Sequence, residues 1–514
     1  MAKIKRALLS VSNKAGIVGL ARELLEMGVE IISTGGTESK LRQEGFKVTP
    51  ISEVTGFPEM LGGRVKTLHP RVHGAVLASR SDPEHMKELE EKSIKPIDMV
   101  VVNLYPFAET VARPDTSLEE AIEQIDIGGV ALIRAAAKNF AHVAVVTNPK
   151  RYSSILLEMR RNDGAISQET LHSLATEAFR HTAGYDENIY VYLSKSHEEF
   201  PETLNMVFKK KGDLRYGENP HQQAALYQEI GAPSSSMVFA NQLHGKELSF
   251  NNVLDVDAAW ALVKELPLPA VVMIKHNNPC GVAMAERLST AWEKAHECDK
   301  ASAFGSVMAF NRTVEDDTAA LINSIFVEAA IAPSFSDSAR KLLQSKEDIR
   351  LLQLPLEKET FSTLKDLKRV EGGLLVQSYD RGEEPYKEML FVGERAPSEE
   401  QWEELMFAWK VAKYVKSNAI VLSKDKATVG IGAGQMSRVD AAHMATRKAG
   451  ERARGAVCAS DAFFPFPDAV VLCAEAGVDA FIQPGGSVRD EEIFNEIKKR
   501  GLVMVLTGKR HFRH

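Results

Sequence analysis

Short apolar runs alternating with helical periods open the chain, and this alternation narrows its fold more than any other feature. Ala7, Leu8 and Leu9 form a strand-like run, after which Ile17, Leu20, Ala21, Leu24 and Leu25 recur at the spacing that lines one helix face. Val29 to Ile32 is apolar again, STGGT follows it, and Glu38 to Glu44 reads as a helix. Strands joined through helices cannot pair as hairpins, so they are predicted to lie parallel in a sheet covered by helices. The rhythm continues through Met99 to Val102, a capping box at Ser117 with Glu120, a helix after Gly129, and Val143 to Val146.

Residues 149 to 196 are helix-compatible, and the polar stretch SKSHEEFPETLN then reads as a linker or exposed crossing near residue 200. The expected domains are therefore 1–200 and 201–514. A length of 514 residues has room for two to four domains at roughly 150 residues each. The second region carries apolar runs at Ala270 to Ile274, Ser306 to Phe310, Ala419 to Leu422, Val478 to Ile482 and Leu502 to Leu506, with a helix capped by Ser398 and Gln401. AVVMIKHNNPCGVA followed by SAFGSVMAF loosely parallels AIVLSKDKATVGIGAG followed by GAVCASDAFF, a weak hint of duplication.

Hydrophobic residues make up 44%, charged residues 26%, and the net charge is -7, the balance of an ordinary globular protein. No basic arm argues for nucleic acid. Cys280, Cys298, Cys458 and Cys473 are widely spaced without a CxxC pair, which points away from a disulfide framework or a cysteine zinc site and fits a reducing cytoplasm. MAKIKRALLSVSNK passes straight into a strand-like run, and no run reaches the roughly 20 apolar residues needed to cross a bilayer. The expectation is a soluble protein with soluble partners.

Three amino-terminal motifs have the chemistry of an anion site. STGGT, Ser33 to Thr37, lies between a strand and a helix, where small residues let backbone N–H groups approach a phosphate, although a tight turn explains the glycines equally well. LGGRVKTLHPRVHG, residues 61–74, gathers Arg64, Lys66, His69, Arg71 and His73 where no apolar stripe is seen; it is an anion-seeking or merely solvated basic loop. IDIGGVALIRAAAKN sets Asp126 before two glycines and Lys138 late in a helix, and capping and dipole effects account for both.

In the second region, AVVMIKHNNPCG ends an apolar strand with Lys275 and His276 before Asn277, Asn278 and Pro279 turn the chain. Strand ends in α/β domains are where ligands sit, and a histidine beside a cation is a candidate base near neutrality; a chance pair at an exposed strand end is the alternative. LRYGENPHQ, GIGAGQMSR and SDAFFPFPD each mix Gly or Pro with charge, and none is specific alone.

Taken in order, SVSNK, STGGT, TGFPEMLGGRVKTLHPRVHG, NLYPF and QIDIGGVALIRAAAKN closely resemble the inosine monophosphate cyclohydrolase domain of bifunctional purine-biosynthesis proteins. The resemblance implies a methylglyoxal-synthase-like parallel-sheet domain that closes the purine ring of the formylated ribonucleotide with loss of water. It implies Lys66, Tyr105, Asp126 and Lys138 at the reacting centre. The lysines would stabilise the oxyanion or donate a proton, and Asp126 with Tyr105 would activate the amide. Ser12, Lys14, Thr34, Gly36, Thr37, Arg64 and Thr67 would hold the ribose phosphate, with Asn103 and Gly128 also contacting substrate. Asn13 stands where the family often has Asp.

KHNNPCG, SNAIVL, QPGGSVRD, the terminal RHFRH and the three mixed segments resemble aminoimidazole carboxamide ribonucleotide formyltransferase, the second activity of that bifunctional family. This implies an α/β region of two cytidine-deaminase-like subdomains without zinc; Pro279 and Cys280 indeed lack the second cysteine a zinc deaminase needs. It also implies 10-formyltetrahydrofolate as co-substrate, no metal, and a homodimer with formyltransferase sites at the interface. His276 would be the base, Lys275 the proton donor or oxyanion partner, and Asn418 the orienting amide. Arg215, Tyr216, Gly305, Glu328, Arg438, Phe463 and Arg510 match nucleotide-binding positions, and Asp468 would address the folate. Asn277 replaces an apolar residue common in relatives.

The expected function is formyl transfer followed by ring closure to inosine monophosphate, the aromatising step pulling a near-thermoneutral transfer forward. Two rivals stay open: a zinc deaminase, and a catalytically dead nucleotide sensor built on the same loops.

Overall fold

The computed structural model describes residues 1–514 apart from 114, 195–198, 231, 357–364 and 381–388. The chain divides into two compact units, Met1–Val207 and Phe208–His514. The linker expected near residue 200 falls partly on 195–198, outside the described residues.

In the first unit five strands lie parallel in the order Thr49–Pro50, Glu30–Ser33, Arg6–Val11, Met99–Asn103 and Ala144–Val146. Met99 to Val102 are all fully buried, as strands covered on both faces require. The helix Ile17–Glu26 buries Ile17, Leu20, Ala21 and Leu24, the face expected from their spacing. Ser117 and Glu120 make the expected capping box. The long helices Tyr152–Arg161 and Gln168–Ser194 close the unit.

The second unit is built on one twelve-stranded sheet that is a duplication, so the weak parallel in the sequence is real. In the first half the edge strand Asn241–His244 pairs antiparallel with Arg350–Gln353, which is followed by parallel Val327–Ala332 and Ser306–Phe310. Ala270–Lys275 then pairs antiparallel with Ser306–Phe310 and turns back as Asn278–Met284. The second half repeats this order with Leu390–Val392, Val503–Leu506, Ala480–Gln483, Val457–Ser460, Ile420–Lys424 and Ala427–Gly432. The halves meet where Ala283 pairs with Ala427, so the two expected α/β subdomains share a continuous sheet.

The preceding helices repeat as well. Ser249, Asn252, Asp255 and Trp260 on Phe250–Lys264 recur at identical spacing as Ser398, Gln401, Glu404 and Trp409 on Glu399–Ala412. Both helices start with a capping box, and both tryptophans are buried. Glycine lets the following helix touch the sheet in each half: a Cβ at Gly281 would lie 2.0 Å from the Ala295 carbonyl oxygen, and one at Gly430 would lie 2.1 Å from that of Ala445.

Candidate active sites

In the first unit the chain order reverses beside Arg6–Val11, and the carboxyl ends of the central strands open there on a cavity of about 730 Å³. Ser12, Lys14, Thr34, Gly36, Thr37, Arg64, Lys66, Thr67, Asn103, Tyr105, Asp126 and Gly128 all line it. The helices Gly35–Gln43 and Gly128–Lys138 both begin at its wall; neither N-cap residue, Thr34 or Ile127, caps its helix through its side chain, and among the described residues only the Gly129 N–H is taken by a side chain, that of Asp126. Unclaimed first-turn N–H groups and the positive helix ends make this wall suited to an anion.

Local hydrogen bonds fix the loops. Thr37 Oγ1 donates to the Val11 carbonyl at 3.0 Å and accepts the Val11 N–H at 3.0 Å, while the Ser10 and Thr34 hydroxyls meet at 2.8 Å. Asn103 Oδ1 accepts the Asn13 N–H at 2.8 Å, and its Nδ2 donates to the Asn13 carbonyl at 3.1 Å. Asn13 is thus tied in through its backbone, which any residue there would offer.

Two cations converge on the glycine pair. A Cβ at Gly35 would lie 3.3 Å from Lys66 Nζ, and one at Gly36 would lie 4.0 Å from Lys14 Nζ. Burial, and then the neighbouring Lys66 charge, lower the Lys14 pKa below the ordinary lysine value. A bound anion would relieve both effects.

Asp126 lines the same cavity. Burial pushes its carboxyl above the usual range, opposed by the Gly129 N–H, the Lys66 charge and the Tyr105 backbone. Its Oδ1 accepts the Gly129 N–H at 2.7 Å. Its own N–H donates to Tyr185 Oη at 2.8 Å, and that hydroxyl donates to the Gln124 carbonyl at 2.7 Å. Arg64 pairs with Glu123 on the cavity rim.

Lys138 is the one amino-terminal candidate that does not line the cavity. It sits exposed at the far end of its helix, roughly 15 Å along the axis from Gly128 at 1.5 Å per residue. The basic segment 61–74 is also not all loop: Pro70–Leu77 is helical, with His69 as N-cap and Pro70 at the first position. Arg71 and His73 therefore belong to a helix, and burial lowers the His73 pKa.

In the second unit Lys275 ends its strand, and the turn is made by His276 and Asn277, at φ 52° and 60°, with Lys275 opposite Asn278. Asn278 and Pro279 already belong to the returning strand, so the turn lies one residue earlier than the Asn-Asn-Pro run suggests; two successive positive-φ residues are what a type I′ hairpin turn requires. Lys275 Nζ donates to the Phe304 carbonyl at 2.6 Å, and a Cβ at Gly305, φ 71°, would stand 3.9 Å from that ammonium. Glu328 lies on Val327–Ala332, one strand beyond Ser306–Phe310, and binds Arg350 at 2.8 Å.

Asn278 Oδ1 accepts the Lys416 N–H at 3.0 Å, which ties this turn to the strand entry carrying Asn418. Asn418 Nδ2 donates to the Gln435 and Met436 carbonyls at 2.9 and 3.2 Å, and its Oδ1 accepts from Arg438 Nη2 at 2.8 Å. Arg438 Nη1 reaches Asp461 Oδ1 at 2.5 Å and Ser460 Oγ at 2.8 Å. Arg510 stands on the Phe512 ring at 4.7 Å, and the adjacent His511 N–H donates to the Asp461 carbonyl at 2.9 Å, which brings Arg510 and Phe463 close to Asp461 along the chain.

Asp468 opens the helix Asp468–Glu475 and accepts the Ala469 N–H at 2.7 Å. Arg215 lies over the Tyr216 ring at 5.5 Å, and the Tyr216 carbonyl accepts the Phe250 N–H at 3.4 Å, so this pair borders the start of the helix that carries Asp255. Among the described residues, no hydrogen bond or ion pair joins Asp468, Arg215 or Tyr216 to His276.

Two carboxylates that hold the surroundings of the candidate residues escaped the sequence reading. Asp461 lies within SDAFFPFPD, but only the fold shows it fully buried against Arg438. Asp255 accepts the Asn277 N–H at 2.6 Å, and aligning the two Ser-capped helices on their tryptophans would have flagged it. No group of three or more His, Cys, Asp or Glu side chains among the described residues is placed to hold a metal ion.

Comparison with known proteins finds two family models along the chain, one of which runs across the boundary between the two compact units. A family model described as AICARFT/IMPCHase bienzyme matches residues 136–448, and one described as MGS-like domain matches residues 16–131. The bifunctional purine biosynthesis protein PurH of Bacillus cereus (strain B4264) is 52% identical over 511 residues, covering 99% of this chain and 100% of that protein. PurH of Bacillus mycoides (strain KBAB4) is similar to the same extent, 52% over 511 residues with 99% and 100% covered. A solved structure described as the crystal structure of ForH is 36% identical, covers 36% of this chain and 97% of that chain, and superposes with a TM-score of 0.33.

Proposed function

Because this chain belongs to the AICARFT/IMPCHase bienzyme family, we propose that its amino-terminal cavity closes the purine ring and that the Lys275–His276 turn transfers the formyl group. The protein is a bifunctional enzyme of purine biosynthesis, a formyltransferase and an IMP cyclohydrolase. Its formyl transfer is folate-dependent, with 10-formyltetrahydrofolate as the donor in this reading and aminoimidazole carboxamide ribonucleotide as the acceptor.

The acceptor amine is a poor nucleophile because its lone pair is delocalised into the ring and carboxamide, so it must lose a proton as it attacks. His276 takes that proton. Lys275 meets the oxyanion or gives a proton to the departing folate nitrogen, and Asn418, held by Arg438, orients the formyl oxygen or the carboxamide. Gly305, Glu328, Arg438, Phe463, Arg510, Arg215 and Tyr216 address the nucleotide, and Asp468 the folate.

Ring closure follows in the cavity. Lys14, Thr34, Gly36, Thr37, Arg64 and Thr67 with the two helix starts hold the ribose phosphate; Ser12, Asn103 and Gly128 complete the contacts. Asp126 with Tyr105 draws the proton from the attacking carboxamide nitrogen, Lys66 stabilises the oxyanion, and the hydroxyl leaves as water. Lys138 keeps its assignment to oxyanion stabilisation or proton donation, although the far end of its helix is a less direct position than that of Lys66.

The working unit in this reading is a cytoplasmic homodimer with formyl-transfer sites at the subunit interface. Four free, buried cysteines support a reducing compartment, and Met436, 95% exposed beside Asn418, supports a covering partner.

The observation that carries the assignment is that Lys66 and Asp126 share one cavity wall set with the phosphate-binding candidates. The test supplies aminoimidazole carboxamide ribonucleotide with and without 10-formyltetrahydrofolate and follows tetrahydrofolate and inosine monophosphate. Folate-dependent formation of both is expected. Tetrahydrofolate with accumulation of the open formyl nucleotide would refute the cyclohydrolase site; nucleotide binding without turnover would favour a sensor.

A further inference from the structure

The two halves of the carboxy-terminal sheet carry the same turn, held in the same way, but only one of these turns bears an imidazole. His276 and Asn277 have φ 52° and 60°, and their counterparts Asp425 and Lys426 have φ 55° and 56°. Residues other than glycine stay in this region only where surrounding structure over-determines it. In one half Asp255 accepts the Asn277 N–H at 2.6 Å; in the other Glu404 accepts the Lys426 N–H at 2.7 Å. Both acids are half-buried at the same place on the helix before the hairpin, three residues after the capping Asn252 or Gln401.

The amide that Asp255 holds belongs to the residue immediately after His276. A change in the backbone there swings the imidazole, and displacements near 1 Å are enough to cost about 100-fold in rate. We propose that Asp255 is a positioning residue for formyl transfer, its bond to the Asn277 N–H fixing the left-handed turn and so the place of the His276 imidazole. Glu404 makes the same contact at a turn with no catalytic side chain, and supplies a control within the same molecule. The proposal rests on His276 as the proton acceptor.

The experiment uses the full-length protein with both substrates and compares Asp255→Ala, Asp255→Asn, Glu404→Ala and His276→Ala, each assayed below its own melting temperature. Asp255→Ala is expected to lower kcat for formyl transfer by about 30-fold or more while KM for the nucleotide moves by less than about threefold. Asp255→Asn keeps an oxygen for the same N–H and should recover to within about fivefold of the parent. Glu404→Ala should lower the melting temperature as Asp255→Ala does, yet leave kcat within about twofold.

Should the alanine variant not fold, Asp255→Ser, too short to reach the amide, gives the same reading. Full kcat in Asp255→Ala or Asp255→Ser, or an equal loss in Glu404→Ala, overturns the positioning role. A His276→Ala protein that still transfers formyl overturns the underlying assignment as well, whereas loss in His276→Ala with Asp255→Ala unaffected overturns the positioning role alone.

Discussion

The carboxylate of Asp126 accepts the Gly129 N–H at 2.7 Å, and a Cβ on Gly129 would lie 2.6 Å from the other oxygen of the same group. The glycine pair after Asp126 is therefore a spatial requirement of the carboxylate, beyond its use at a helix start. Gly129→Ala must displace Asp126, and also Leu104, whose Cδ2 would be 2.9 Å away. Cyclisation should fall by about 10-fold or more and the first unit should lose about 1–3 kcal/mol, with formyl transfer retained; a cyclisation assay and a denaturant melt check both.

Lys66→Ala and His276→Ala should separate the two activities. Removing Lys66 takes a cation from the cavity and should lower cyclisation by about 100-fold or more while formyl transfer persists. His276→Ala should do the reverse. Supplying the formylated nucleotide directly isolates the second step, and loss of both steps in either folded variant contradicts two separate sites.

The buried Asp126 carboxyl gives stability a definite pH dependence. Its pKa is raised in the folded protein, so its favourable contribution is fully present below the unfolded value and is lost as pH rises through the folded value. Asp126→Asn, neutral throughout, removes that loss. Its melting temperature relative to the parent should be most favourable near neutral pH, and the advantage should shrink as pH falls towards about 4. Calorimetry across this range checks it; a difference independent of pH would contradict the burial effect.

The Arg438–Asp461 pair is almost wholly buried, with side-chain exposures of 4% and 0%. Asp461→Ala leaves the guanidinium uncompensated and should destabilise the second unit by about 3–5 kcal/mol. Because Arg438 also holds Asn418, formyl transfer should fall even at temperatures where the variant is folded. Urea unfolding paired with the transfer assay distinguishes the two effects.

Glycine-to-alanine exchange should change sign with position. Gly281→Ala drives a methyl into the Ala295 carbonyl and should abolish folding of the second unit, since backbone cannot move aside cheaply. Gly184, inside the helix Gln168–Ser194 with nothing within 4 Å of its Cβ, should gain about 0.5–1 kcal/mol as alanine. Thermal melts of the two variants settle the contrast.

Periodicity alone determined the parallel architecture of the first unit, because burial on two faces makes strands continuous apolar runs, and a helix packed on one face repeats every three to four residues. The family resemblance carried by the ordered motifs supplied the candidate residues, and most of the amino-terminal ones line a single cavity where strand ends meet the loop around Lys66 and the start of the helix Gly128–Lys138. The tertiary structure alone decided that Lys138 stands at the far end of its helix, that residues 70–77 leave the basic loop for a helix, and that His276 itself makes the turn. It also decided the roles of Asp461 and Asp255, whose partners are distant in sequence or are backbone amides without a side-chain signature. Local patterns report how one segment meets water and core, but which charge meets which amide depends on how separate strands are brought side by side.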